Sequence, residues 1–264
     1  MSESSIRKRL TAGCTVVGSW VNTGSPIVAE LMAAAGFDYL AVDVEHSPVD
    51  LARAAELFRA IRSGSTRCEA FVRLPGCDHD TIKRYCDAGA TGVIAPLVNT
   101  AAQARQVVGA VKYPPQGMRG VGFARCNQYG ADFDRATAQA NDNTTVVIQI
   151  EHIQAVENID EILSVEGIDA AFIGPYDLSA SMGLTGQTDH PDVLAGMERI
   201  LQACQARGVA AGLHVVPCEP NTLVSRAEAG FRFLAYSLDI TMLNHLCRTG
   251  LEQIRQALGF DGLS

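Results

Sequence analysis

Short runs rich in Val, Ile, Leu and Phe recur along the chain, each followed by a segment in which apolar residues return every three to four positions. The first pattern suits strands buried on both faces and the second suits the helices that cover them, so the alternation predicts parallel βα units. Eight strands are expected, at residues 16–22 (VVGSWVN), 39–45 (YLAVDVE), 69–74, 92–98, 145–151, 170–175, 210–215 and 231–239. The intervening helices are expected over 26–35, 50–62, 79–88, 100–111, 154–164, 192–207, 221–229 and 240–258. Gly36, Gly89, Gly208 and Gly230 each stand where a helical run gives way to a strand, a place for a left-handed residue that glycine adopts without strain. Eight such units close into a (β/α)8 TIM barrel more naturally than they spread into a doubly wound sheet. The 264 residues suit one barrel, so a single domain spanning 1–264 is expected.

One stretch breaks the rhythm. Residues 113–143, YPPQGMRGVGFARCNQYGADFDRATAQANDN, are too long and too rich in glycine and polar groups for a routine connection. Long ordered loops in compact domains are usually functional, so the stretch is expected on or beside the C-terminal face of the barrel if the fourth helix is partly displaced or extended, and is otherwise a plain surface excursion.

Composition narrows the partners. With 47% hydrophobic and 19% charged residues, nearly the whole chain is expected to fold. A net charge of −8 and the lack of a basic stripe remove the attraction that nucleic-acid binding needs. No apolar run has the length of a signal peptide or a membrane span, so neither membrane nor export is expected and the protein reads as cytoplasmic. The eight cysteines, at 14, 68, 77, 86, 126, 204, 218 and 247, show no CxxC spacing and read as free thiols, mostly buried as small apolar fillers.

Barrel enzymes carry their chemistry at the C-terminal ends of the strands. Here those ends are polar: Asp43, Glu45 and His46 after strand two, Arg73 on strand three, Gln149, Glu151 and His152 on strand five, and Gly174-Pro175 leading to Asp177 after strand six. Glu151 and Asp177, from neighbouring strands, form an oxygen pair suited to a hard divalent ion such as Mg2+ or Mn2+, with positions left for water and a chelating substrate. Asp177 could equally be the N-cap of a helix. The segment GPYDLSASMG also offers backbone N–H groups at a helix start, where a carboxylate is favoured. A 2-oxoacid suits such a site, with Arg73 holding the oxygen on which negative charge develops and His46 as general acid and base. Imine chemistry would need a desolvated lysine in the barrel, yet Lys8, Lys83 and Lys112 are the only lysines and none falls in an apolar strand. A GxSxG elbow, a Walker A loop and a GxGxxG turn in a strand-helix context are all absent.

AGFDYLAVDVEHSPVD, FVRLPG, YPPQGMRGVGFAR and VVIQIEHIQAVENIDEILSVEGIDAAFIGPYDLSASMG together resemble the HpcH/HpaI aldolases, across nearly the whole chain. The resemblance implies a metal-dependent class II pyruvate aldolase on a (β/α)8 barrel. It would cleave 4-hydroxy-2-oxoacids, such as 4-hydroxy-2-oxoheptanedioate or 2-keto-3-deoxy sugar acids, to pyruvate and an aldehyde through an enolate. It implies Glu151 and Asp177 as ligands of Mg2+, Mn2+ or Co2+, Arg73 as the enolate-stabilising arginine and His46 as the proton-transfer histidine. Asp87 would be delivered to that histidine from a neighbouring subunit. Gln149 lies beside the metal, and Gly174, Pro175 and Ser179 match the pyruvate side. The last helix would be exchanged between subunits, commonly in a trimer of dimers. An oxaloacetate decarboxylase, or another 2-oxoacid lyase using the same enolate, is the alternative enzyme. A barrel that only binds 2-oxoacids is a further one. The chain departs from the family pattern at His152 and at GFARCNQYG, both of which bear on the aldehyde pocket; Arg119 or Arg125 could meet a distal substrate group or form an ion pair.

Overall fold

Residues along each strand point alternately inward and outward, and here both sets are apolar, which only a closed sheet wrapped in helices can bury. The computed structural model describes residues 5–259. Its elements run α1 (Ile6–Thr11), β1 (Val16–Val21), α2 (Pro26–Ala34), β2 (Tyr39–Asp43), α3 (Leu51–Gly64), β3 (Glu69–Arg73), α4 (His79–Ala88), β4 (Gly92–Ala95) and α5 (Ala101–Val111). A 3-10 segment (Arg125–Gly130) and α6 (Phe133–Asn143) precede β5 (Thr145–Ile150), α7 (Ile153–Glu157) and α8 (Ile159–Leu163). Then come β6 (Ala170–Ile173), α9 (Pro175–Ser181), α10 (Pro191–Arg207), β7 (Ala210–Val215), α11 (Pro220–Glu228), β8 (Phe233–Leu238) and α12 (Asp239–Ala257). All eight strands are parallel in sequence order and β8 pairs with β1, so the sheet closes as a TIM barrel.

The outward residues, among them Leu40, Val72, Ile148 and Leu213, pack under the helices, while Val16, Tyr39, Phe71, Phe172 and Phe233 fill the interior. That interior is matched large against small. A Cβ on Gly18 would lie 2.4 Å from the Tyr39 ring, and one on Gly92 would lie 2.3 Å from that of Phe71. Glycine at these strand positions makes room for aromatic rings, rather than for a turn. The four expected helix-stop glycines, Gly36, Gly89, Gly208 and Gly230, all have positive φ.

Helix α1 was not expected. Its Ile6 and Leu10 close the lower end of the interior, with the Ile6 N–H donating to Glu69 Oε1 at 2.7 Å and Arg7 paired with Asp169 at 2.9 Å. The expected helix over 154–164 is two short helices broken at Asn158, whose side-chain amide donates to the Asn99 carbonyl.

Residues 113–143 correct the sequence reading. Helix α5 occupies its normal place, so the segment leaves from the N-terminal side of the barrel and not from the C-terminal rim. It crosses the outside of α4, where the His79 ring meets the Met118 carbonyl at 3.3 Å, and its second half is helix α6, set against α1. Lys112 ties its two ends together: the buried ammonium donates to the carbonyls of Asn141 and Thr144, both at 2.7 Å.

The cysteines also differ from expectation. All eight are free, but only Cys68, Cys86 and Cys204 are buried, and Cys14 and Cys247 are exposed. Among the described residues no helix is long and apolar enough to cross a membrane.

Candidate active site

At the C-terminal end of the barrel the inward positions change from aromatic to charged. Asp43 and Arg73 are register partners on β2 and β3 and form a two-pronged pair, Nε to Oδ1 at 2.8 Å and Nη2 to Oδ2 at 2.6 Å. Asp43 is fully buried. It also accepts from the Asn22 amide at 2.7 Å and from the backbone N–H groups of Glu45 and His46 at 3.1 and 3.3 Å. Burial pushes its carboxyl up, but the Arg73 guanidinium and these donors outweigh that and hold it below the usual carboxylate range. The same bonds end β2 two residues before the expected Glu45 and fold the turn that carries Glu45 and His46 over the rim. Arg73 reaches Glu45 Oε2 at 3.4 Å and lies with its Cζ 4.3 Å from the centroid of the Trp20 ring. His46 is largely exposed, its Nε2 3.9 Å from Glu45 Oε2.

Glu151 follows β5 and is buried. Its Oε1 accepts the Leu97 N–H at 2.8 Å and its Oε2 accepts the Gln149 amide at 2.7 Å. The Leu97 donor exists because β4 stops at Ala95, short of the expected residue 98, and Leu97 takes the left-handed conformation with φ 52°. Such a conformation is strained for a branched side chain by roughly 1 kcal/mol or more, and strain of this kind gathers at functional sites. Glycine is required at 174, since a Cβ there would sit 2.7 Å from Glu151 Oε2. Burial raises the Glu151 carboxyl to about 7; the Leu97 N–H opposes this, and the charges of Glu45 and Asp177 add to it. Glu45 is raised as well, by burial first, and then by Asp43 and Asp177 against the pull of Arg73 and His46. Asp177 thus shares the rim with Glu45 and Glu151. It is the third residue of α9, whose N-cap is Gly174, so the alternative role of Asp177 as N-cap does not hold. Pro175 at the first helical position brings no N–H, so fewer backbone donors face the rim than the segment promised. The Gln149 Oε1 is buried with no hydrogen-bond partner.

The structure therefore gathers Arg73, Gln149, Glu151, Gly174, Pro175 and Asp177 at one rim, with His46 at its edge. Two expected residues stand apart. Asp87 lies at the end of α4, on the N-terminal side, where its Oδ1 accepts from Arg119 at 2.6 Å. Ser179 is buried and its hydroxyl is spent locally, donating to the Tyr176 carbonyl at 2.6 Å and accepting from the Gly186 N–H at 3.0 Å. Arg119, buried against Asp87 and the Tyr113 ring, is an ion-pair residue of the lower side. His152 uses its Nδ1 to cap α7. Lys112 is the buried lysine, yet it lies beneath the barrel and not at the rim. Cys77 adjoins the acidic cluster, and burial pushes its thiol up to about 11, which keeps it protonated.

Sequence reasoning missed Trp20, Asn22, Leu97 and His214. The first two had a signal, since Gly18, Trp20 and Asn22 alternate along the end of the first strand and so share its inward face. Leu97 acts through its backbone and left no signal. His214 stacks on Trp20 with ring centroids 5.4 Å apart, and its Nε2 meets the Ser237 carbonyl at 2.8 Å.

Comparison with known proteins gives the family. The chain is 37% identical over 242 residues to a hydroxypyruvate/pyruvate aldolase of Roseobacter denitrificans, covering 91% of this chain and 93% of that one. It is 39% identical over 241 residues to a 4-hydroxy-2-oxovalerate aldolase of Rhodococcus jostii, covering 91% and 92%. The crystal structure of an HpcH/HpaI aldolase from Desulfitobacterium hafniense superposes with a TM-score of 0.89 at 32% identity, over 98% of this chain and all of that one. The HpcH/HpaI aldolase/citrate lyase model matches residues 17–245, and the chain belongs to that family of carbon–carbon lyases.

Proposed function

We propose that the protein is a divalent-metal-dependent class II aldolase that reversibly cleaves 4-hydroxy-2-oxoacids to pyruvate and an aldehyde through a pyruvate enolate. The observation that carries this reading is the surplus of negative charge at the rim. Asp43, Glu45, Glu151 and Asp177 face one guanidinium, and Glu151, although buried, has no cationic hydrogen-bond partner. A divalent cation offsets such a surplus, and an all-oxygen donor set suits Mg2+, Mn2+ or Co2+. Glu151 and Asp177 would hold the ion and leave positions open for water and substrate; among the described residues no group of three Asp, Glu, His or Cys side chains is set to hold one. When bound, the ion supplies Lewis-acid polarisation of the 2-keto group.

The chain's own groups do the rest. Arg73 is held rigidly by Asp43 and Trp20, so its guanidinium meets the oxygen that gains charge with little reorganisation. His46, exposed at the edge, takes the 4-hydroxyl proton directly or through water as the C3–C4 bond breaks to give the aldehyde and the enolate; a proton from this histidine or from water then goes to C3 to give pyruvate, and the transfers reverse in the aldol direction. Gln149, Gly174 and Pro175 bound the pyruvate side, and Ser179 keeps α9 in shape. The names of the two relatives, a hydroxypyruvate/pyruvate aldolase and a 4-hydroxy-2-oxovalerate aldolase, both carry 2-oxoacids, which supports this reading.

The test is pyruvate formation from racemic 4-hydroxy-2-oxoheptanedioate by chelator-stripped protein, with and without Mg2+, Mn2+ or Co2+. Turnover restored by metal is the expected result. Turnover of oxaloacetate alone, with none of the aldol substrate, would replace the aldolase by the decarboxylase.

The assembly belongs to the same reading. Helix α12 is anchored by Asp239, which accepts the N–H groups of Asn22 and Thr23 at 2.9 Å, while Ile240, Leu243, Leu246, Leu251 and Ile254 on the same helix are exposed. An apolar face of that extent on a 19-residue helix needs a cover. Exchange of α12 between subunits in a trimer of dimers would supply it, and Asp87 of the partner subunit would then face His46. Light scattering should give a hexamer mass for the protein and a smaller species for Leu246→Glu; a monomer for both would remove the exchange.

A further inference from the structure

Arg73 is held at its edge by Asp43 and across its face by Trp20, so the tilt of its plane depends on the ring beneath it. Trp20 offers little to fix itself by direction, because its Nε1 is buried with no hydrogen-bond partner. Its plane depends on its neighbours: Phe172, tilted at 60° with centroids 5.9 Å away, and His214, stacked at 29° and 5.4 Å. Of these, only His214 is itself directionally anchored. A carbonyl can only accept, so the 2.8 Å contact with the Ser237 oxygen places the proton on His214 Nε2.

The anchor is in turn built with care. Ser237 is fully buried and holds the left-handed conformation, φ 49°, at the end of β8. Its carbonyl also accepts from Ser19 Oγ at 3.2 Å, and its own hydroxyl donates to the Val216 carbonyl at 2.9 Å, which locks the strand end to the β7–α11 turn. At this end the pairing of β1 with β8 shifts register between Gly18 and Trp20. A strained, buried residue thus presents its carbonyl to the His214 imidazole and to the Ser19 hydroxyl. Burial pushes His214 down to about 4, which keeps the ring uncharged beside Arg73.

We propose that His214 is a positioning residue: anchored to the Ser237 carbonyl, it sets the plane of Trp20, and Trp20 sets the guanidinium of Arg73 for the reaction. The inference rests on the aldolase reading for its kinetic consequence, but not for its structural one.

Trp20 is the chain's only tryptophan, so the tryptophan band of the near-UV circular dichroism and tryptophan fluorescence report on it alone. The experiment compares the metal-loaded wild-type protein with His214→Phe, which keeps a ring but loses the anchor, and His214→Leu, which loses both. The tryptophan band should weaken and the emission decay broaden in the order wild type, Phe, Leu. With Leu, kcat should fall roughly tenfold while KM for the 2-oxoacid moves less than about threefold, since a displaced transition-state contact lowers kcat. In a Trp20→Leu background the same replacement should change kcat by less than about twofold, because the link is already cut. An equal loss in both backgrounds would show that His214 does not act through Trp20 and would overturn the proposal. A wild-type tryptophan band in both His214 variants would do the same. Should His214→Leu fail to fold, His214→Phe carries the comparison. A wild-type protein that turns over no 2-oxoacid would end the aldolase reading, whereas the tryptophan signals would still judge the positioning.

Discussion

Glu151→Ala and Asp177→Ala should each lower metal-stimulated pyruvate formation by at least ~1000-fold while the barrel stays folded. Both carboxylates stand beyond the last strand residue or in the first turn of α9, outside the packed layers that hold the sheet together. Circular dichroism and thermal melting give the control, and global unfolding of either variant would sink the assignment of these residues to a rim site. The metal-free protein adds a signed test. Glu151 ordinarily ionises near 4.5 and in the folded chain is raised to about 7 by burial, with Glu45 and Asp177 adding to it. An acid raised by folding stabilises the folded state at low pH, and that contribution is lost as pH rises from about 4.5 to about 7. Glu151→Gln should flatten this slope and stabilise the metal-free protein at pH 8, by an amount on the order of 3 kcal/mol at most. Denaturant melts at pH 4 and pH 8 read it directly. A wild-type slope that survives in Glu151→Gln would assign the strain to other groups.

Arg73→Ala should lose both activity and stability, and the two losses should separate in Arg73→Lys. Alanine leaves the fully buried Asp43 carboxylate without its partner, which costs about 3–5 kcal/mol and lowers Tm by roughly 10 °C for a chain of this size. It also removes the guanidinium proposed to stabilise the developing charge, worth about 100- to 1000-fold in kcat. Lysine restores a positive charge near Asp43, so much of the Tm should return. Its single ammonium cannot make the two-pronged contact or lie flat over Trp20, so kcat should stay at least ~100-fold low. If kcat recovers along with Tm in Arg73→Lys, the arginine serves the fold alone.

These two experiments bear on residues that differ in how readily the sequence disclosed them. Arg73, Glu151 and Asp177 were visible because a charged side chain at the end of an apolar run has few structural reasons to be there. Asp43 was visible as an acid, but its part was not, since only the register of β2 against β3 sets it opposite Arg73. Asp87 shows the reverse limit. Its matching position was plain in the sequence, yet within one chain it sits on the far side of the barrel, bound to Arg119.

By itself the sequence determined the eight βα units from which the barrel is built. Strand and helix periodicity, apolar runs buried on both faces and glycine at the helix stops are local properties, and they prescribe eight βα units before any long-range contact forms. It also determined the chemical character of the rim, because residues at strand ends go to one face once the strands are parallel. Only the tertiary structure decided what depends on distance between segments. The stretch 113–143 was misplaced although the helix over 100–111 was expected, because no local pattern says which layer a long excursion will pack on, or that Lys112 will bind carbonyls about thirty residues on. The Leu97 N–H that orients Glu151, the glycine forced at 174 and the His214–Trp20–Arg73 stack each arise where atoms from different strands meet. Periodicity records which way a side chain faces; closure of the barrel decides what it finds there.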